Sequence, residues 1–147
     1  MSPSQQRLAL ATYVRLMRAA NAARAHALRN LGDSGLTLTQ FAVLEALYHL
    51  GAMSLSEMAA KVLTTGGNLT MVAGNLERDE LVERQRSPSD ARVQVLHLSP
   101  KGKALMRRIF PLHAAAIAEF MSVLAGAEQE ALGELCRKLG QQREFDS

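Results

Sequence analysis

The clearest pattern of hydrophobic and polar positions lies in the middle of the chain, between Ser54 and Gly102. Ser54 and Glu57 have the spacing of a capping box, in which the Ser oxygen accepts a backbone N–H and the Glu side chain bonds back to the cap. A short apolar face follows, consisting of Met58, Ala59 and Val62. Because residues 64–67 read Thr-Thr-Gly-Gly, a cluster that favours turns, the pattern predicts a helix of about two turns.

A second helix is predicted from Asn68 onward, because apolar residues recur there at the spacing of one helical face: Leu69, Val72, Ala73 and Leu76. The opposite face carries small and polar residues, namely Gly67, Met71, Gly74 and Arg78, flanked by Thr70 and Asn75. Two short helices joined by a tight Gly-containing turn predict a helix-turn-helix, whose second helix enters the major groove of DNA. On its own, this face is equally well interpreted as a small polar surface.

A β-hairpin is predicted directly after this helix pair. Residues 81–86 and 93–98 have the composition of strands, and residues 87–91 form a turn-rich cluster between them. Arg86 and Arg92 bracket the tip, and Asp90 is close enough in sequence to hold the Arg92 guanidinium by a charge-assisted hydrogen bond. An arginine held at the tip of a projecting hairpin suits the narrow minor groove. The alternative is an ordinary surface ion pair, which contributes little.

Amphipathic helices are predicted at both ends of the chain. The first carries Leu8, Tyr13, Leu16, Met17 and Ala20 before a break at residues 31–35. Ser99 and Pro100 have the form of a cap followed by proline at the first helical position. They open a fifth helix whose apolar residues are Leu105, Ile109, Leu112, Ala116, Ile117 and Phe120. Gly126 is expected to interrupt it, and Leu132, Leu135 and Leu139 mark a sixth helix. Such stripes are expected to be buried, either against a second chain or in an intrachain helical core.

Taken in order, these motifs resemble those of the MarR family of bacterial transcription regulators, which are winged helix-turn-helix homodimers. The matching segments are residues 36–44, 55–59, 66–70, 75–82, 90–92 and 98–102. The resemblance implies a mostly α fold of α+β type within a single domain of residues 1–147. Residues 36–102 would form the winged helix-turn-helix lobe, and residues 1–35 and 103–147 would supply the dimerisation helices.

The resemblance also implies a function: a homodimeric repressor that binds a pseudo-palindromic operator in double-stranded DNA and is released by a small aromatic or phenolic effector. The expected DNA-binding residues are Thr65, Gly67, Asn68, Thr70, Met71, Asn75, Arg78, Arg86, Asp90 and Arg92. The expected effector site consists of Tyr13, Phe41, His49 and His113. Family members often carry charged residues at the positions of Met71, Gly74, Asn75 and Ala91, so fewer charges face the groove here.

Composition agrees with this interpretation. The 147 residues have a formal net charge of +3 and a pI of about 9.4, which permits nucleic-acid binding without requiring it. Basic residues outnumber acidic ones by five to two in residues 1–53 and nine to six in residues 54–108, but acidic residues prevail by six to three in residues 109–147. The acidic C-terminal part is therefore expected to face away from phosphate.

Other features narrow the function. The chain has no long apolar run and no secretory leader pattern, so we expect a cytoplasmic protein without a membrane partner. Its four histidines are scattered without metal-site spacing, and motifs for catalysis or phosphate binding are missing, so we expect no metal, no cofactor and no enzyme. The single cysteine, Cys136, is interpreted as a packed side chain. Two alternatives stay open: a redox-responsive regulator that uses Cys136, and a winged-helix module that binds proteins.

Overall fold

The computed structural model describes residues 1–62 and 68–142. Within these residues the chain forms six α-helices and a three-stranded sheet. In order they are α1 (Pro3–Asn30), α2 (Leu38–Leu50), β1 (Met53–Ser54), α3 (Leu55–Lys61), α4 (Leu69–Arg78), β2 (Val82–Arg86), β3 (Gln94–Leu98), α5 (Pro100–Met121) and α6 (Gly126–Gly140). A single 3₁₀ turn, Gly32–Ser34, separates α1 from α2. The predicted mostly helical fold with a β-wing is confirmed.

Side-chain caps define where several helices begin. Thr37 and Gln40 form a reciprocal capping box at α2, and Ser99 followed by Pro100 opens α5 as predicted. Ser54 caps α3 by accepting the Glu57 N–H at 3.2 Å. The predicted return bond differs, because the Glu57 carboxylate accepts from the Ser54 hydroxyl at 3.3 Å instead of from the Ser54 backbone. Ser54 also ends β1, where its backbone lies in the sheet opposite Val95.

The sheet has the antiparallel order β1-β3-β2. Strands β2 and β3 form the predicted hairpin, with Val82 opposite Leu98 at its base and Arg86 opposite Gln94 near its tip. Strand β1 was not predicted, since two residues are too few to show an alternating pattern. It extends the sheet by pairing Met53 with Leu96.

The core lies where α2, α3, α4 and α5 meet the base of the hairpin. It contains Leu44, Met58, Leu76, Leu96 and Met106, all fully enclosed. The predicted inner face of α4 is confirmed: Ala73 and Leu76 are buried, and Leu69 and Val72 pack against the core half-exposed.

The outer helices contribute little to this core. Helices α1 and α6, all of whose residues are described, have no buried side chain. The predicted break between the fifth and sixth helices is present, but it lies at residues 122–125, and Gly126 is the first residue of α6. Glu128 accepts the Ala125 N–H at 2.9 Å and so satisfies a donor at this helix start.

The turn after α4 is attached to the first turn of α5 through three successive carbonyl groups. The Asp79 carbonyl accepts from Lys101 Nζ at 3.0 Å, and the Glu80 carbonyl accepts from the Ser99 hydroxyl at 2.6 Å. The Leu81 carbonyl accepts from the Ser99 N–H at 3.1 Å. Gly102 makes the close approach possible, because a Cβ atom at this position would lie only 2.1 Å from the Leu81 oxygen.

Glu80 adopts a left-handed backbone conformation in this turn, with φ of 62°. This region costs a residue with a Cβ roughly 1–2 kcal/mol, whereas glycine enters it freely. We therefore expect Glu80→Gly to stabilise the protein by about 1 kcal/mol, the relief of strain exceeding the extra unfolded-state entropy of glycine. Urea denaturation at fixed protein concentration measures the effect.

Asp79→Gly is the matched control, because Asp79 lies in the same turn at φ of −80°. Glycine relieves no strain there and should destabilise by about 0.5–1 kcal/mol. Equal effects of the two substitutions would contradict the assignment of strain to Glu80.

Candidate nucleic-acid interface

The N-terminus of α4 is organised by Asn68. Its Oδ1 accepts the backbone N–H groups of Thr70 at 3.1 Å and Met71 at 3.3 Å, which satisfies two of the free donors of the first turn. Asn68 is therefore a capping residue as well as a candidate DNA contact. Thr70 and Met71 point to solvent, with Met71 60% exposed. This end of the helix presents a small hydroxyl and a flexible apolar side chain.

The C-terminal half of the same face is more polar. Arg78 donates from Nη2 to Oδ1 of Asn75, so the two predicted contact residues are held together. A Cβ atom at Gly74, between them and Met71, would meet nothing within 4 Å, which leaves the helix backbone open to close approach. The predicted contacts Thr65 and Gly67 lie outside the described residues.

The wing tip holds an arginine in a fixed orientation. Asp90 Oδ1 accepts from the Arg92 backbone N–H at 3.0 Å and from Arg92 Nε at 3.1 Å, and Oδ2 accepts from Nη2 at 3.3 Å. The side-chain bond from Arg92, followed by the backbone bond, holds the pKa of Asp90 below its ordinary value. The carboxylate therefore stays ionised while the Arg92 side chain is 91% exposed. The pairing expected from the sequence is present.

The remaining wing residues divide between the tip and the body of the hairpin. Arg86 is exposed at the end of β2, near Arg92 along the chain, so two basic side chains lie at the tip.

No particular role was predicted for Arg84, because the residues around it show only alternating charges. In the structure its side chain is three-quarters buried and lies 3.1 Å from the Glu77 carboxylate of α4. The signal available in the sequence was its place on the same strand face as the buried Val82.

Three of the four expected effector residues lie on facing parts of α2 and α5. The rings of Phe41 and His113 are 4.5 Å apart, as are those of His49 and Phe110. A cavity of about 380 Å³ adjoins this row, lined by Ala42, Glu45, Ala46, His49, Leu50, Lys61 and Val62. Tyr13 is not part of this row: it is exposed on α1, beside a surface cavity that Met1, Gln6, Ala9 and Leu10 also line.

The two ring nitrogens of His113 have few polar contacts within the described residues. Its Nδ1 atom is buried without a hydrogen-bond partner among the described residues, and its Nε2 atom lies 4.0 Å from Glu45. A buried polar atom without a partner has a free-energy cost, and a ligand that supplies the missing bond would remove it.

An open apolar groove of about 670 Å³ runs between α1, the end of α5 and α6. Cys136 lines it, together with Leu16, Phe120, Leu124 and Leu132. The interpretation of Cys136 as packed is wrong within one chain, because its side chain is exposed.

Two further features concern membranes and metals. In residues 1–62 and 68–142, no single helix has both the length and the apolar composition to cross a membrane; α5 and α6 reach them only as a pair bent by 100°. The same part of the chain holds no group of three or more His, Cys, Asp or Glu side chains placed to bind a metal ion.

Comparison with known proteins agrees with this geometry. The MarR family model matches residues 36–93. The transcriptional regulator MhqR of Bacillus subtilis is 39% identical over 131 residues, which covers 89% of this chain and 90% of MhqR. The chain belongs to the MarR family. It is a DNA-binding transcriptional regulator of the winged helix-turn-helix class.

Two solved structures of MarR-like proteins extend the comparison. Sco3205 of Streptomyces coelicolor, a MarR family regulator in complex with DNA, is 26% identical and has a TM-score of 0.82 over 99% of this chain and 94% of its own. BpsR of Bordetella bronchiseptica, whose DNA binding is regulated by 6-hydroxynicotinic acid, is 29% identical and has a TM-score of 0.78 over 87% of this chain and 91% of its own.

Proposed function

We propose that this MarR-family protein represses transcription as a homodimer that covers a pseudo-palindromic operator. In each half-site α4 lies in the major groove and the wing tip lies in the adjacent minor groove. The observation that carries this proposal is Arg92, an almost fully exposed guanidinium that Asp90 fixes at the hairpin tip. Because the MarR family consists of transcription regulators that act on DNA, we further propose that the protein is cytoplasmic and is not an enzyme.

The outward face of α4 has a modest role in this proposal. Thr70 and Met71 are suited to contact a thymine methyl, and Asn75 and Arg78 are suited to hydrogen-bond base edges or phosphates. Because the Asn75–Arg78 pair is the main polar group on this face, base reading is limited. Much of the discrimination would come from minor-groove width, which an inserted arginine senses.

Arg92→Ala tests the wing. We expect it to weaken binding of a duplex that the protein selects from a random-sequence pool by about 1–3 kcal/mol, because a desolvated arginine contact is lost. Fluorescence anisotropy over a range of salt concentrations measures affinity and salt dependence together. Arg137→Ala is the control, since Arg137 is an exposed arginine paired with Glu134 on α6.

Two results would contradict the proposal. The first is an Arg92→Ala protein that binds as tightly as the wild type. The second is wild-type binding to the selected duplex that does not weaken as salt rises, because phosphate neutralisation requires such weakening. Salt-insensitive binding to a protein, with none to DNA, would favour the protein-interaction alternative.

The homodimer rests on apolar surface that one chain leaves uncovered. Along α1 and α6 large apolar side chains are mostly exposed: Leu8, Leu10, Tyr13, Val14, Met17, Leu28, Leu132, Leu135 and Leu139. Large contiguous apolar patches are rare on monomers and mark interaction surfaces. A second copy of the chain presents the same helices, so a two-fold interface would bury both sets at once. The two α4 helices would then lie about 34 Å apart, one turn of DNA.

Leu8→Glu combined with Leu135→Glu should convert the protein to a monomer, because each charge would have to be buried at the interface. Sedimentation at low micromolar concentration measures the mass, and circular dichroism checks the fold. Met71→Glu is the matched control: Met71 is exposed to nearly the same extent as Leu135 but lies on α4, so this variant should stay dimeric. A double variant that remains a dimer would refute the interface.

We further propose that a small hydroxylated aromatic compound binds between α2 and α5 and releases the DNA. The Nδ1 atom of His113, which has no hydrogen-bond partner within the described residues, is a polar group next to the Phe41 ring. The adjoining cavity also touches α3, the helix before the recognition helix, through Lys61 and Val62. An occupant would therefore press on the elements that position α4. The regulation of BpsR by 6-hydroxynicotinic acid supports this class of ligand.

His113→Leu tests the effector site. Hydroxybenzoates, hydroquinones and 6-hydroxynicotinic acid are each titrated against the complex with the selected duplex, and release is measured by anisotropy. We expect at least one compound to release the wild type, and the variant to need on the order of tenfold more of it, since one hydrogen bond is lost. His97→Leu, on the wing, is the control. Release that is unaffected by His113→Leu, or no release by any compound, would reject this site.

A further inference from the structure

Arg84 joins the wing to the recognition helix. It lies on β2, on the strand face that carries the buried Val82. Its Nε atom lies 3.1 Å from Oε2 of Glu77, in the last turn of α4, and its Nη1 donates to Oε1 of Gln94 on β3 at 3.1 Å. Arg84, which lies on β2, thus contacts both α4 and β3 through one guanidinium.

The other ion pairs of this region stay within the hairpin. Glu83 and His97, 2.8 Å apart, are register partners within the hairpin, and Asp90 and Arg92 lie within its tip. Among the described residues, Glu77–Arg84 is the ion pair that connects α4 with the wing.

A contribution to stability does not explain the Arg84 contact well. The Arg84 side chain is three-quarters buried, and its Nε, although close to Glu77, is not aligned for a hydrogen bond. Burying a charge has a desolvation cost that an imperfect pair recovers only in part, so an apolar side chain would serve stability as well or better. The planar guanidinium has hydrogen-bond donors in fixed directions, which an apolar side chain lacks. It can therefore fix the orientation of α4, β2 and β3 relative to one another.

We propose that Arg84 is a positioning residue: held by Glu77 and Gln94, it fixes the angle of the wing against α4 so that Arg92 meets the minor groove while α4 occupies the major groove. The inference rests on the DNA-contacting role proposed for Arg92. By the register of the hairpin, Arg92 lies four residues beyond Arg84, which is about 13 Å at roughly 3.3 Å per strand residue. A tilt of about 10° would therefore move Arg92 by roughly 2 Å, enough to break hydrogen bonds that it makes.

The test is a double-mutant cycle between Glu77→Gln and Arg92→Ala, measured as affinity for the selected duplex. Glu83→Gln is the matched control, because it breaks a carboxylate pair that lies within the hairpin and removes the same charge. Removing a negative charge near phosphate should by itself strengthen binding. We expect Glu77→Gln to bind about 3- to 10-fold more weakly than Glu83→Gln, against this electrostatic trend.

In the Arg92→Ala background the difference between Glu77→Gln and Glu83→Gln should disappear, leaving the two double variants within about twofold of each other. Gln94→Ala, which removes the second contact of Arg84, should show the same dependence on Arg92. Hydroxyl-radical footprinting should show lost minor-groove protection at the outer edge of each half-site, while dimethyl sulfate, which methylates guanine N7, should show that major-groove protection by α4 is retained. Urea denaturation should give the same unfolding midpoint for Glu77→Gln and Glu83→Gln.

Three results would overturn the inference. The loss of affinity caused by Glu77→Gln could multiply with that of Arg92→Ala, or it could be no larger than that of Glu83→Gln. It could also be accounted for by a loss of folded protein. These outcomes leave the proposed DNA contact of Arg92 intact. An Arg92→Ala variant that binds like the wild type would instead contradict both the contact and the positioning role.

Discussion

The attachment of the turn after α4 to the first turn of α5 is the contact on which the arrangement of this molecule depends. Three successive carbonyl groups, from Asp79 to Leu81, accept hydrogen bonds from Ser99 and Lys101. Gly102 lets the backbones touch, and Glu80 is held in a left-handed conformation in the same turn. Backbone strain of this kind persists only where the surroundings enforce it. The recognition helix is thereby fixed to the long helix that leads out of the DNA-binding lobe.

This attachment links the spacing of a dimer to the reading of DNA. If α5 and the outer helices set the distance between two protomers, then α4 follows any movement of α5, because the turn between them has little freedom. The wing is attached to α4 in a different way. Its Arg84 contacts α4 through side chains rather than through the backbone. Side-chain contacts yield more readily than backbone hydrogen bonds in a packed turn. The wing is therefore the part of the interface whose angle a single substitution can alter.

Sequence reasoning succeeded where one local rule determined the structure. The inner face of α4, the cap at Ser99 and the Asp90–Arg92 pair each follow from spacing over a few residues. It failed where distant elements decide: β1 is two residues long and forms only because β3 is beside it. Arg84 was taken as one charge in an alternating strand, and only the packing of α4 against β2 shows that its side chain faces inward.

The outer helices, α1 and α6, also show the difference between what a local pattern determines and what depends on distant parts of the structure. Their amphipathic stripes were visible in the sequence, but the described residues of one chain cover these stripes only in part, and α1 and α6 have no buried side chain. A helix in water gains most of its stability from packing of its apolar face. The 28 residues of α1 are therefore expected to depend on a partner for much of their order, so that stability and protein concentration become linked. Since α5 connects this region to the turn after α4, the proposed dimerisation would be coupled to DNA recognition.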